Sequence, residues 1–323
     1  MLEQFWLARS VAVAARLGLA DVLAQRRCNV AELAQETGTH EPSLARLVRA
    51  MVAYGIFRDV GAGLALTELG ETLVSDRPGS MRQLLMTLMG GEHYCAWGDL
   101  DQSVRTGRTA FDVHYGADVW SWYRQHPDAA SEFNKTMVAA TAAVNDAVMQ
   151  VYDFRPFRHI VDVGGGHGSL LRLTLEQNST ARGTLFDQPN VIEEAKDAVA
   201  AAGLAKRVDL VGGSFFENVP PGGDAYLLKY ILHDWDDSRC ELILNNVRKA
   251  IAAGGKLLIF DTVIPPPGKP DFSVLMDLNM MAMTGGRERS EPELRDLLAR
   301  TGFALRRVLP TQSHVSITEA DPV

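Results

Sequence analysis

The fold is constrained most by a change of hydrophobic pattern after Pro156, where apolar runs of strand length begin to alternate with helical stretches. The runs are His159–Val163, Gly183–Asp187, Val208–Val211, Asp224–Tyr230 and Lys256–Asp261. Helices are expected near 168–178, 190–202, 238–253 and 291–301. Alternation of this kind predicts a parallel sheet with helices on both faces, so this half of the chain reads as α/β. Phe303–Leu309 and His314–Thr318 have only a short link between them, which predicts an antiparallel hairpin closing the sheet edge.

The front half has a different period. From Phe5 to Leu23 the residues Leu7, Val11, Ala14, Ala15 and Leu19 recur at helical spacing, which predicts one nearly all-apolar helix. A second helix opens at Asn29, with Glu32 placed for a capping box, and stops at Gly38. A third follows Pro42, with Leu44, Leu47, Val48 and Met51 on one face, and ends at Gly55. Strands at Ile56–Val60 and Leu64–Leu66 around a Gly-Ala-Gly turn complete the outline of a winged helix. Residues 1–90 contain nine Arg and no Lys against nine acidic side chains, so this module lacks the positive field that a nucleic acid requires. A packing or dimerisation role fits it better, and the apolar first helix points to a homodimer.

At 323 residues the chain has room for two domains. The expected organisation is a helical, winged-helix-like dimerisation domain over 1–90, an aromatic-rich helical linker over 91–150, and an α/β domain over 151–323. The linker holds Tyr94, Trp97, Phe111, Trp120, Trp122 and Phe133, a set able to wall an apolar ligand pocket. A net charge of −8, from 40 acidic and 32 basic side chains, disfavours nucleic-acid partners. No apolar run reaches the ~18 residues of a membrane span and no signal-peptide layout opens the chain, so a cytoplasmic location without membrane contact is expected. Three scattered cysteines supply neither a disulfide framework nor a zinc knuckle, and no metal is expected.

The first parallel strand runs into Asp162-Val163-Gly164-Gly165-Gly166-His167-Gly168-Ser169. Glycines at 164, 166 and 168 let a ligand approach the backbone at a helix start, where free N–H groups and the positive dipole end lie. The spacing is not the dinucleotide fingerprint, because Ser169 stands where that pattern needs glycine, and no Walker lysine follows. The next strand ends in Asp187, about twenty residues on, where a carboxylate can accept from both hydroxyls of a ribose.

These segments, with Leu185-Phe186-Asp187-Gln188-Pro189, Gly212-Gly213-Ser214-Phe215-Phe216, Leu228 to Trp235 and Gly285-Gly286-Arg287-Glu288-Arg289-Ser290, resemble the successive motifs of S-adenosylmethionine-dependent, cation-independent small-molecule O-methyltransferases. That family includes plant caffeic acid and animal hydroxyindole O-methyltransferases and bacterial natural-product enzymes. The resemblance covers nearly the whole chain and implies a Rossmann-like class I methyltransferase domain behind a winged-helix dimerisation domain. It places Gly164 and Gly166 against the methionine part of the cofactor, Asp187 on the ribose, Ser214 and Phe215 at the adenine, and Lys229 beside the cofactor. The family usually carries Asp where this chain has Ser214, and a hydroxyl is a weaker acceptor than a carboxylate.

The resemblance makes His233 the catalytic base, with Asp261 and Glu288 as candidates to fix its tautomer. Independently, His233 follows a strand at its carboxyl end, where open α/β sheets bind ligands. Asp261 is short for direct contact, which favours Glu288. Phe133 and Met137, with Asn279, Met280 and Met283 of the methionine-rich stretch 277–283, face the acceptor pocket in the family. Asn279 is the polar group there that would orient the acceptor. The leading expectation is a homodimeric methyltransferase acting on a hydroxyl, most simply a phenol, of a small aromatic metabolite, leaving S-adenosylhomocysteine. Two alternatives stay open: an enzyme of the same scaffold performing hydroxylation, decarboxylation or transfer to nitrogen or carbon, and a ligand-sensing winged-helix regulator.

Overall fold

The computed structural model describes residues 2–77, 79–268 and 270–323. The chain forms two compact units, one of residues 1–98 and 123–140, the other of residues 99–122 and 141–323. The stretch 91–150, expected to be a linker, is thus shared between both.

In the first unit, α1 (Leu2–Arg16) and α2 (Leu19–Gln25) are separate helices. The single helix expected over 5–23 is broken because Gly18 adopts φ 68° and becomes the N-cap of α2. Helix α3 (Val30–Thr37) begins at a complete capping box between Asn29 and Glu32 and ends at left-handed Gly38. After α4 (Glu41–Ala53), β1 (Phe57–Asp59) pairs antiparallel with β2 (Leu64–Leu66), which completes the winged-helix outline. Leu19, Leu33, Leu44, Met51 and Phe57 fill its core. The long α5 (Pro127–Val151) starts in this unit and finishes in the second.

The second unit is built on β3 (His159–Val163), α6 (Ser169–Gln177), β4 (Arg182–Asp187), α7 (Pro189–Ala201), β5 (Val208–Gly212), β6 (Ala225–Lys229), α8 (Asp237–Ala250), β7 (Lys256–Asp261), α9 (Phe272–Met283), α10 (Glu291–Arg300), β8 (Phe303–Pro310) and β9 (Ser316–Pro322). Its main sheet has seven strands, ordered β8-β9-β7-β6-β3-β4-β5. The five strands β3 to β7 run parallel, and the β8–β9 hairpin adds antiparallel to β7. Strand period two divides the core: Val161, Val163, Leu228 and Ile259 enter one hydrophobic cluster, and Ile160, Leu227, Leu258 and Phe260 enter the other. Both faces of the sheet are therefore buried, which explains the nearly continuous apolar runs.

Several strand boundaries differ from expectation, most by a single residue. Tyr230 leaves β6 with φ 57°, so the strand stops at Lys229. The last strand starts at Ser316 rather than His314, whose residue lies in the hairpin turn, and extends to Pro322. The chain runs outward from β3 through β4 and β5, then returns to the other side of β3 as β6. That reversal opens a crevice at the carboxyl ends of β3 and β6, the place where such sheets receive ligands.

Candidate active site

The loop after β3 turns on Gly164 (φ 68°), Gly166 (φ 57°) and Gly168 (φ 76°). A Cβ on Gly164 would fall 2.3 Å from Ile231 Cδ1, and one on Gly165 would fall 2.6 Å from the Asp162 carboxylate. At Gly166 the same position is open space. Asp162 is buried, and among the described residues its Oδ2 has no hydrogen-bond partner. Burial pushes its carboxyl up to about 6, against the pull of the Lys229 charge. Asp187, at the end of β4, accepts from the Gly166 amide at 2.8 Å and from the Gln188 amide at 2.7 Å. Burial still raises its carboxyl above the ordinary range, and each oxygen retains a lone pair for a further donor.

Past β5, Ser214 Oγ accepts from the Phe216 amide at 3.3 Å, while Asn246 donates to the Phe215 carbonyl at 3.0 Å. The Phe215 ring lies edge-on to Trp235 with centroids 6.2 Å apart, and its Cε1 lies 3.6 Å from where a Cβ on Gly164 would fall. Lys229 Nζ donates to Asn145 Oδ1 at 2.9 Å, and burial lowers its ammonium to about 8.

His233 lies in a short 3-10 turn, Leu232–Asp234, beyond β6. Its Nδ1 donates to Glu288 Oε1 at 2.9 Å, and both residues are buried. Its Nε2 stands 3.8 Å from Asp234 Oδ1. Burial alone would lower the imidazole, but Asp234, the Glu288 hydrogen bond and Asp261 outweigh it and raise His233 to about 10. Asp261 bonds the Tyr230 amide at 3.0 Å and fixes the strained residue rather than the imidazole. The Tyr230 ring stacks on His233 with centroids 5.3 Å apart.

The loop carrying Glu288 is locked onto this turn. The Arg287 amide donates to the His233 carbonyl at 2.9 Å. The buried Arg289 guanidinium donates to the carbonyls of Leu232 and Trp235, both at 2.9 Å, and pairs with Asp237 at 2.9 Å. The Glu288 amide donates to Asp277 Oδ1 on α9 at 2.9 Å. On that helix Met280 and Met283 are buried and Asn279 half-buried. Phe133 and Met137 belong to the first unit, where Phe133 stacks on Tyr123 with centroids 4.9 Å apart.

The structure thus brings Gly164, Gly166, Asp187, Phe215 and Lys229 to one end of the sheet, with His233 and Glu288 beside them. Sequence reasoning assigned no role to Asn145, Tyr230, Asp234 or Arg289. Tyr230, Asp234 and Arg289 lie within the family-like motifs at 228–235 and 285–290, whereas Asn145 has no local signal. Among the described residues no group of three or more His, Cys, Asp or Glu side chains is placed to hold a metal ion.

The residues fit S-adenosylmethionine. The unpartnered Asp162 oxygen and the neighbouring Asp187 suit a cationic ligand, and the open Gly166 backbone admits it closely. Residues 97–304 match the family model of an O-methyltransferase domain and residues 1–76 that of an O-methyltransferase dimerisation domain. The chain is 42% identical over 324 residues to a phenazine O-methyltransferase of Lysobacter antibioticus, covering 100% of this chain and 95% of that one. It is 34% identical over 315 residues to a phenazine-1-carboxylate N-methyltransferase of Pseudomonas aeruginosa, covering 97% of this chain and 93% of that one. A crystal structure of an O-methyltransferase from neocarzinostatin biosynthesis, in complex with S-adenosylmethionine and 2-hydroxy-5-methyl naphthoic acid, superposes with a TM-score of 0.86 at 34% identity, covering 98% of this chain and 96% of that one. The chain belongs to the S-adenosylmethionine-dependent O-methyltransferase family, as an enzyme of the bacterial natural-product type that uses S-adenosylmethionine.

Proposed function

We propose that this enzyme methylates a phenolic hydroxyl of a small aromatic secondary metabolite, with His233 as general base and the chain working as a homodimer. The observation that carries the reading is the buried 2.9 Å contact between His233 Nδ1 and Glu288 Oε1 at the carboxyl end of the sheet. Bound S-adenosylmethionine supplies an electrophilic methyl group on a positively charged sulfur. A phenol has a pKa of about 10 and is largely protonated near pH 7, so a positioned imidazole that removes its proton accelerates the reaction. Glu288 holds the ring so that Nε2 is the nitrogen that takes that proton when His233 is neutral, and because the surrounding carboxylates favour the imidazolium, the neutral base grows as the pH rises toward about 10. Asn279, Met280 and Met283 of α9 are proposed as acceptor contacts, as are Phe133 and Met137 of the first unit. Methionine side chains adapt to flat aromatic ligands. Gly164, Gly166, Asp187, Ser214, Phe215 and Lys229 are proposed as the cofactor contacts.

The phenazine and naphthoic acid named for two of the relatives support an aromatic acceptor. The N-methyltransferase relative supports a second reading, transfer to a ring or amino nitrogen. Incubation of the enzyme with isotopically labelled cofactor and a panel of phenols and aromatic amines, followed by mass spectrometry and NMR of the products, separates the two. Methoxy products are expected, and labelled N-methyl products alone would replace the first reading with the second.

A further inference from the structure

Asn145 is 1% exposed and lies in the part of α5 that belongs to the second unit. Its amide oxygen accepts from Lys229 Nζ at 2.9 Å and its amide nitrogen donates to Ser169 Oγ at 3.1 Å. An ammonium can only donate, so the amide oxygen must face the lysine and the nitrogen the hydroxyl. Ser169 is the first residue of α6, directly after Gly168. One side chain therefore joins the end of β6, the head of the helix behind the glycine loop, and α5. Leucine would fill similar space but leave the buried ammonium without this acceptor. Aspartate would restore the acceptor while adding negative charge beside Lys229, the cation that also acts on Asp162.

We propose that Asn145 is a positioning residue of the cofactor site, holding the Lys229 ammonium and the head of α6 in one geometry before S-adenosylmethionine binds. A site held ready spends less of its binding free energy on ordering itself. The inference is independent of the acceptor and of the role of His233, because its readouts are cofactor binding and the state of one lysine.

The test uses the full chain, with calorimetric titration of S-adenosylhomocysteine and NMR titration of Lys229 in protein carrying 13Cε-labelled lysine, assigned through Lys229→Arg. Asn145→Leu is expected to weaken S-adenosylhomocysteine about tenfold, the scale of one unsatisfied buried group, and to lower the Lys229 midpoint. Asn145→Asp is expected to move that midpoint upward. Ser169→Ala is expected to weaken the ligand roughly threefold, the lower end for one hydrogen bond, and to leave the Lys229 midpoint in place. A purely structural role would lower the melting temperature of the Asn145 variants without changing the affinity of the folded protein for S-adenosylhomocysteine. An unmoved Lys229 midpoint in Asn145→Asp overturns the proposal. So does an S-adenosylhomocysteine Kd within about twofold of wild type in Asn145→Leu or, should that variant not fold, in Ser169→Ala.

Discussion

A Cβ built on Gly286 would fall 2.0 Å from the carbonyl oxygen of His233, closer than any side chain can approach a backbone atom. The loop that delivers Glu288 thus lies directly on the backbone of the residue whose imidazole Glu288 holds. Gly286→Ala is expected to push the two apart, costing about 1–3 kcal/mol of stability, the range for overpacking. With the 2.9 Å contact disturbed, kcat is expected to fall at least about tenfold, while S-adenosylhomocysteine binds nearly as before. Calorimetric melting and steady-state kinetics on the same preparation check both.

Replacement of His233 by Ala or Gln is expected to lower kcat by about 10²–10⁴, the usual contribution of general-base catalysis. Cofactor affinity should change little, since only proton transfer is lost. The loss should shrink for acceptors already ionised at the assay pH. A His233→Ala variant that methylates a high-pKa phenol at near wild-type rate would sink the mechanism.

The pH profile carries a sign. A base must be neutral to act, and the carboxylates around His233 raise it to about 10, so the rate should climb with pH through a midpoint above the ordinary histidine range. Glu288→Gln removes one negative charge and the charged hydrogen bond, and should move that midpoint to lower pH while reducing the plateau. A midpoint that stays put in Glu288→Gln would show that another group titrates.

Ser214 supplies a neutral hydroxyl at a turn, where it accepts from the Phe216 amide. An aspartate can keep that bond and present a stronger acceptor to a ligand. Ser214→Asp is expected to tighten S-adenosylhomocysteine roughly fivefold, the equivalent of about 1 kcal/mol. Equal or weaker binding by calorimetry would place the adenine amino group elsewhere.

Phe5 and Trp6 of α1 are 55% and 61% exposed, and an apolar groove of about 610 Å³ between α1 and α4 is lined by them with Val13, Leu17 and Leu47. Apolar surface of this kind on the matched dimerisation segment needs a cover. Light scattering should give twice the chain mass of 35.3 kDa, and Trp6→Glu should shift the population toward monomer. A wild-type monomer at micromolar concentration would count decisively against the dimer.

Much of the sheet was legible because burial on both faces writes itself as apolar runs, and the glycine loop because its positive φ angles demand glycine at three spaced positions. The break in the first helix was hidden: Gly18 in an alanine-rich segment reads as a tolerated interruption until its backbone is seen to be left-handed. Tyr230 was hidden for the opposite reason, since a β-favouring side chain masks a residue held at φ 57° by the Asp261 carboxylate. The choice between Asp261 and Glu288 as the His233 contact turned on reach, and the geometry has Glu288 at 2.9 Å. Asn145 and Lys229 are 84 residues apart, so their contact is a product of the fold rather than of any local pattern.

The division of the chain has a consequence for recombining it. The backbone passes from one unit to the other at 98/99, at 122/123 and within α5 at 140/141. A single crossover near residue 90 or 150 would therefore hand each parent an incomplete core. Chimeras that exchange the front unit with a relative need breakpoints at all three passages, and the last falls inside a continuous helix. Exchange of single loops, such as 284–289, respects the architecture better than exchange of domains.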